Sequence, residues 1–385
     1  MIFLNLVIIL KLISSMSTLP ALQKVSHLQY ILHYHPGTSH NVNYGFNFHS
    51  IHIQCRLGGF FISYTYKTNR PQGRKAGTGY VHNFTEEPVA IGIDHGFSLI
   101  KTRNHIFSNG VSKCSGKPPI VENSLCYNGS YYCVGGERKM VVTDKTADED
   151  FFLLTLVAVA KELKTRGLHH NAVVILGAGV PFKRFGEEAG KLTAYLSRTG
   201  IHDFIFEEEE YSIAIEKVYC FPQCFAAVAD RIANMEGRYV VADIGSWTKD
   251  IISIVDKRID TEKSVTVPNS IITLFGEIND GVMQIGCGRI LEEVLQDFII
   301  GKEVVMPEKA QAVVISKLKE FAMEIEGLLG ESGFDLDYCN VLYIGGGATI
   351  MKRFGEHKEN VAYLEDIRLN AKGYELLASH QMKRG

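Results

Sequence analysis

Two stretches far apart in the chain repeat one design. Val89–Lys101 reads VAIGIDHGFSLIK, and Tyr239–Val255 reads YVVADIGSWTKDIISIV. Each is an apolar run, a turn built on Asp and Gly, and a second apolar run, the pattern of a β-hairpin. Such a tip offers a carboxylate, a glycine that permits close approach, and hydroxyls within a few residues. That is equipment for holding a phosphate and its metal. A tight turn with no ligand would use the same residues, because Asp and Gly favour turns in any case. Two copies in one chain point to two similar half-domains clamping one nucleotide.

The 385 residues suffice for two or three domains of roughly 100–200 residues each. The apolar fraction of 46% is that of an ordinary globular protein. None of the eight cysteines forms a C-x-x-C pair, so the expectation is reduced thiols in a cytoplasmic protein. Charge is distributed unevenly. Residues 1–85 contain no Asp or Glu, seven Lys or Arg, and seven of the fourteen histidines. The rest of the chain carries all 43 acids against 33 bases. Three readings compete for the acid-free segment. Ile2–Ile13 has the apolar length of a signal sequence, but no basic stretch precedes it, and it is too short for the ~20 residues of a membrane span. As a basic arm for nucleic acid or anionic lipid the segment is dilute. The composition favours a disordered or mistranslated upstream region with the true start nearer Val81. On that reading His33, His35, His40, His49 and His52 are not a metal site.

From the first hairpin onward the chain alternates strand and helix. Lys101, seven residues after Asp94, falls near the same tip, where it either reaches a phosphate or is a solvated strand end. Residues 107–145 are Gly-rich with short β-like pieces, Ser130–Val134 and Lys139–Thr143, and read as a small inserted subdomain. Cys114, Cys126 and Cys133 within it read as structural or incidental. Thr146 and Glu149 have capping-box spacing for a helix from about Asp148 to Arg166, stopped by Gly167. Asn171–Leu176 is a continuous apolar strand. A helix is expected from Phe185 to Arg198, and another from Phe221-Pro222-Gln223 to Asn234. Gln223 would orient a water, or be an ordinary polar residue in a first turn. Val265–Thr273 is β-like. Asn279–Ile300 is expected to hold a helix that begins at Gly286-Cys287-Gly288. Val341–Ile344 enters Gly345-Gly346-Gly347, then a helix, a unit that lets backbone approach an anionic or flat ligand. The last helix is Ala371–His380.

In this order the pieces resemble the actin-like ATPase superfamily, and within it the plasmid-segregation actins of the ParM/StbA group. The resemblance covers about 88–385. IGIDHGFSLIK looks like the phosphate-1 motif, with Asp94, Gly96 and Lys101 at matching spacing. FPQCFAAVAD looks like connect-1, with Gln223 at the water-positioning place. ADIGSWTKD looks like phosphate-2, with Asp243, Gly245 and Thr248. YIGGGA looks like the adenosine motif, and the helix near Ala371–Ala378 like connect-2. Two departures stand out. ParM-like proteins tend to have Glu where Gln223 stands, and bulky Trp247 occupies a place where small residues are usual.

The resemblance implies an α/β actin-like, ribonuclease H-like fold with a nucleotide cleft between two domains. Its domains would span 86–236 and 237–365, with 366–385 returning to the first. ATP and Mg²⁺ are the implied cofactors. Asp94 and Asp243 would hold the metal, mostly through water. Asp94, Gly96, Phe97, Ser98, Lys101, Asp243, Gly245, Ser246, Thr248, Gly345, Gly346 and Gly347 would bind the nucleotide. Catalysis would rest on Gln223, Asp94 and Asp243. The implied partners are further copies of the chain in a head-to-tail filament and a DNA-binding adaptor. Direct nucleic-acid or membrane contact is not expected, since the body is acidic. The alternatives are a small-molecule kinase, a chaperone or reactivase relative, or an actin-fold scaffold that binds nucleotide without hydrolysis. A kinase would need a catalytic Asp base, for which Asp230 and Asp250 are the candidates.

Overall fold

In the computed structural model the described residues are 30–33, 50–57, 60–67, 80–83 and 87–385 apart from 143, 335 and 385. They belong to two compact units, Met1–Glu87 and Pro88–Gly385. In the first unit β1 (Tyr30–His33), β2 (Ser50–Leu57), β3 (Phe60–Lys67) and β4 (Tyr80–Asn83) form an antiparallel sheet in sequential order. β2 and β3 pair along their whole length, from Ser50 opposite Lys67 to Leu57 opposite Phe60. Where it is described, the acid-free segment is paired strand. Its Ile, Tyr, Phe and Thr residues suit a pleated surface. The Ile2–Ile13 run, His35, His40 and His49 lie outside the described residues.

The second unit is organised around two sheets. The larger runs in the order β5 (Val89–Gly92), β12 (Asn171–Val180), β14 (Glu209–Pro222), β13 (Ile201–Phe206), β10 (Ser124–Tyr127), β11 (Ser130–Gly136), β9 (Gly110–Cys114). Three short strands, β6 (Asp94–His95), β7 (Leu99–Lys101) and β8 (Ile106–Ser108), make a small sheet of their own. The Gly-rich segment, expected as a small inserted subdomain, adds β9–β11 to the main sheet, and residues 139–142 of the expected β-like piece Lys139–Thr143 are not strand. The second sheet has the order β17 (Arg258–Pro268), β16 (Thr248–Val255), β15 (Arg238–Ile244), β18 (Asn340–Ile344), β19 (Val361–Leu364).

Helices cover both sheets. α1 (Asp150–Thr165) is buried over twelve of its sixteen residues. A helix apolar nearly all round belongs inside a core, and α1 lies in the first core with Ile91, Leu176 and Ile213. α2 (Phe185–Leu196) closes the same lobe. α3 (Ile271–Gln284), α4 (Glu292–Ile299), α5 (Glu308–Glu331) and α6 (Ala348–Phe354) accompany the second core, built on Val240, Ile278, Leu318 and Tyr343. The final helix, α7 (Leu369–Met382), returns to the first lobe. It lies so close to β5 and β12 that a Cβ on Gly92 would sit 2.0 Å from the Ala371 carbonyl oxygen, and one on Gly177 2.5 Å from that of Tyr374. Only glycine at those strand positions lets helix backbone rest on sheet backbone.

Four local expectations fail. Residues 223–234 do not form an α-helix. β14 continues to Pro222, Cys224 adopts φ 62°, and only two 3₁₀ turns follow, Ala226–Val228 and Ile232–Asn234. A left-handed residue at that place ends any helical run. Gly286, at φ 70°, terminates α3 and does not begin a helix, with Cys287 N–H donating to the Val282 carbonyl. α3 itself starts at Ile271, inside the run expected to be β-like. Thr146 caps no helix, because its hydroxyl and its N–H both bond the Asp144 carboxylate, and α1 starts at Asp150.

Candidate functional site

The cleft between the lobes is built from hairpin tips. In the first hairpin Asp94 and Lys101 are directly opposed partners, and Gly96 N–H closes the turn on the Leu99 carbonyl. In the second, Asp243 is directly opposite Asp250, and Gly245 N–H closes on the Thr248 carbonyl. The closure is the same in both. Phe97, Ser98, Ser246 and Trp247, the tip residues, all line one cavity of about 330 Å³, within the roughly 300–1,000 Å³ of small-molecule sites. Phe97 and Trp247 face each other across it, ring centroids 6.4 Å apart.

The same cavity takes in Asp94, Gly96, Lys101, Gln223, Asp243, Gly245, Thr248, Gly345 and Gly346. Gly347 is excluded. A Cβ there would sit 2.2 Å from the Ile244 side chain, and its N–H bonds the Ile244 carbonyl, so it packs α6 against β15. Gly345, at φ 79°, is the close-approach glycine: a Cβ would meet Asp243 Oδ1 at 2.3 Å. Thr248 lines the cavity, but its hydroxyl donates to Asp250 Oδ2 at 2.8 Å.

Charge in the cleft is lopsided. Lys101 Nζ lies 3.0 Å from Asp94 Oδ2. Burial works against the Lys101 ammonium, yet the Asp94 carboxylate, by charge and hydrogen bond, holds its pKa above the ordinary value. Asp243 has no such partner. Burial and the charge of Asp250 push its carboxyl up to about 7, against the opposing pull of Lys101 and a hydrogen bond from Asn370. Burial also raises Asp250, although the Thr266 and Thr248 hydroxyls hold its two oxygens.

These residues fit a Mg²⁺–nucleotide. Asp94 Oδ1 is buried without a hydrogen-bond partner among the described residues, an acceptor that calls for a ligand. Among the described residues no three metal-ligating side chains converge. Two carboxylates would thus hold the ion together with phosphate and water, the usual way Mg²⁺ is bound.

Two residues at the cleft escaped the sequence reading. Asn370, at the start of α7, accepts from Cys224 N–H at 3.2 Å and donates to Asp243 Oδ2 at 2.6 Å. It thereby ties the turn after Gln223 to the second hairpin. Lys145 reaches the cavity from the loop before α1, donates to the His95 carbonyl, and sits 4.4 Å from the Phe97 ring centroid. Burial lowers its pKa to about 8. Each stands one residue before a marked stretch, the Thr146 capping box and the Ala371–Ala378 helix, and no local signal singled out either side chain. Of the two kinase-type base candidates, Asp250 lines the cavity and Asp230 does not. Asp230 is exposed and paired with Arg231, and Asp250 is sealed by its two threonines.

Among the described residues no helix is long and apolar enough to cross a membrane. No protein-family model matches the chain, and no curated protein matches it. Solved structures do. Ta0583, an archaeal actin homolog, superposes with a TM-score of 0.63 at 19% identity, over 76% of this chain and 99% of that one. The apo psk41 ParM protein gives 0.59 at 15% identity, over 77% and 98%. Bacillus thuringiensis ParM, solved with ATP, gives 0.56 at 12% identity, over 77% and 99%. At such identities the likeness is one of fold, and the fold that surrounds this cleft is the actin-like one.

Proposed function

We propose that the chain is an ATP hydrolase that assembles head to tail into ATP-dependent filaments and, through a DNA-bound adaptor, segregates plasmid or other low-copy DNA. The observation that carries the nucleotide reading is the pair of identically closed hairpins, with Asp94 and Asp243 lining one cavity beside Lys101. The neighbours add weight, one solved as a filament of Alp12 and others with ADP, ATP or AMPPNP.

Mg²⁺, when bound, neutralises phosphate charge and orients the chain of oxygens. The protein's own residues do the rest. Backbone at the two tips and Gly345 takes the phosphates closely, Lys101 and Lys145 meet their negative charge, and Gln223 orients the attacking water. Positioning and charge neutralisation are most of what phosphoryl transfer asks of a protein. ATP favours the closed cleft and closure favours the head-to-tail contact. A contact of that kind which does not close on itself gives a filament. Hydrolysis then weakens it.

Right-angle light scattering of the full chain, with phosphate release followed in parallel, tests the proposal. Scattering should rise above a critical concentration with ATP and Mg²⁺ and fall as ATP is spent. Phosphate release with flat scattering would sink the filament reading. Gln223→Ala should slow phosphate release about 10²-fold or more while nucleotide still binds. Unchanged turnover would remove Gln223 from its role.

A further inference from the structure

We propose that Cys114 and Cys133 form a reversible thiol-oxidation site that reacts with small disulfides of the glutathione type. The inference is independent of the nucleotide reading. Cys114 ends β9 and Cys133 lies in β11, adjacent antiparallel strands at the outer edge of the main sheet. Cys114 is paired in register with Tyr131, and Cys133 with Ser112, so the two cysteines are diagonal neighbours. Diagonal side chains on one face of a twisted sheet come within reach of each other. Here the sulfurs touch, Sγ to Sγ 3.0 Å, about 1 Å beyond a disulfide bond. The bond can therefore form with a small side-chain adjustment and no change of strand pairing.

Access distinguishes the two thiols. Cys133 is exposed and Cys114 half-buried, so Cys133 meets the reagent first. Its thiolate attacks one sulfur of RSSR, forming a Cys133–SR mixed disulfide and releasing RS⁻. The Cys114 thiolate then attacks Cys133 Sγ, forming the Cys114–Cys133 bond and releasing the second RS⁻. The two thiol protons end on the two RSH molecules, and two electrons pass from the protein to the reagent. The hydrogen bond with Cys114 holds the Cys133 thiol above its ordinary pKa, so the exchange is slow near neutral pH.

The placement gives oxidation a consequence. Just past Cys133 the pairing register shifts between Val134 and Gly136, two residues before Arg138. Arg138 makes a bidentate pair with Glu292, at 3.0 and 2.7 Å, in the first turn of α4 on the opposite lobe. A staple across β9 and β11 anchors the strand from which that cross-cleft bridge springs.

The test treats the full chain, natively folded, with oxidised glutathione, alkylates the remaining thiols, and maps peptides without reduction. The expected product joins the Cys114 and Cys133 peptides with loss of two hydrogens and is undone by dithiothreitol. Cys114→Ser should instead trap glutathione on Cys133. The proposal is overturned if wild-type protein accumulates glutathione on Cys133 with no joined pair. It is equally overturned if the bridge pairs either cysteine with another of the eight, or if both thiols remain open to alkylation.

Discussion

Seven positions after its aspartate the first hairpin carries Lys101 and the second carries Asp250, and in each case the two residues are direct cross-strand partners. The same backbone device therefore presents a balanced ion pair on one side of the cleft and two facing carboxylates on the other. The first tip has its charges paired as it folds, with one Asp94 oxygen left over for a ligand. The second holds its aspartate near neutrality by burial and like charge, with a pKa of about 7, and becomes complete only when something positive arrives. A divalent cation carried in by phosphates is what that asymmetry suits.

Removing each aspartate should break the symmetry in opposite directions. Asp94→Ala leaves Lys101, with 19% of its side chain exposed, without its carboxylate, and should cost roughly 3 kcal/mol of stability. Asp243→Asn keeps an acceptor for Asn370 and removes a crowded charge. Because the folded pKa of Asp243 is raised, its native form holds a proton that the unfolded form has lost, and stability declines as pH rises from about 4 through about 7. The variant should escape that decline and gain roughly 2 kcal/mol over wild type at pH 8, with no gain below pH 4. Chemical denaturation without nucleotide reads both, and equal losses for the two variants would refute the comparison. Both should lose phosphate release.

A smaller effect is expected at the residue that joins the second hairpin to the helix behind it. Asn370→Ala leaves Cys224 N–H and Asp243 Oδ2 without their partner and should cost about 1–2 kcal/mol, with Asp243 protonated to a higher pH. A carboxylate titration followed by NMR would show the shift, and an unmoved Asp243 would count against the link.

The smallest effect sharpens the picture on the first lobe. Burial lowers the Lys145 pKa to about 8, so below that pH folding buries an ammonium at a cost. Between about 8 and 10.5 the folded form sheds its proton before the unfolded form does, and stability rises with pH. Wild type should gain on Lys145→Met across that window by on the order of 1 kcal/mol. Parallel pH profiles would show that Lys145 is not desolvated.

What could be seen in the sequence was whatever is local. Asp94, Lys101 and Asp243 flank turns, and Gly345 follows a strand, in stretches whose chemistry is written within a few residues. The apolar strands expected at Asn171–Leu176 and Val341–Ile344 announced themselves in the same way, although the first runs on to Val180. What stayed hidden is made by tertiary contact. Asn370 meets a carboxylate 127 residues earlier, and Lys145 becomes a cleft residue only when its loop folds over His95. Pro222 suits the start of a helix, while the left-handed turn at Cys224 has its N–H bound by the Asn370 side chain, which no neighbouring residue foretells.

The way α7 lies on β5 also sets an order of events during synthesis. Gly92 comes near the start of the second unit and Glu375, whose carboxylate its N–H faces, lies 283 residues later. A nascent chain that has emerged only through β19 owns both hairpins, yet its Asp243 has no Asn370 and its first strand lacks the helix it rests against. Contacts so distant in sequence form late. The cleft is thus completed only when the last helix has left the ribosome, and until then the second hairpin lacks the Asn370 side chain that ties it to the turn after Gln223.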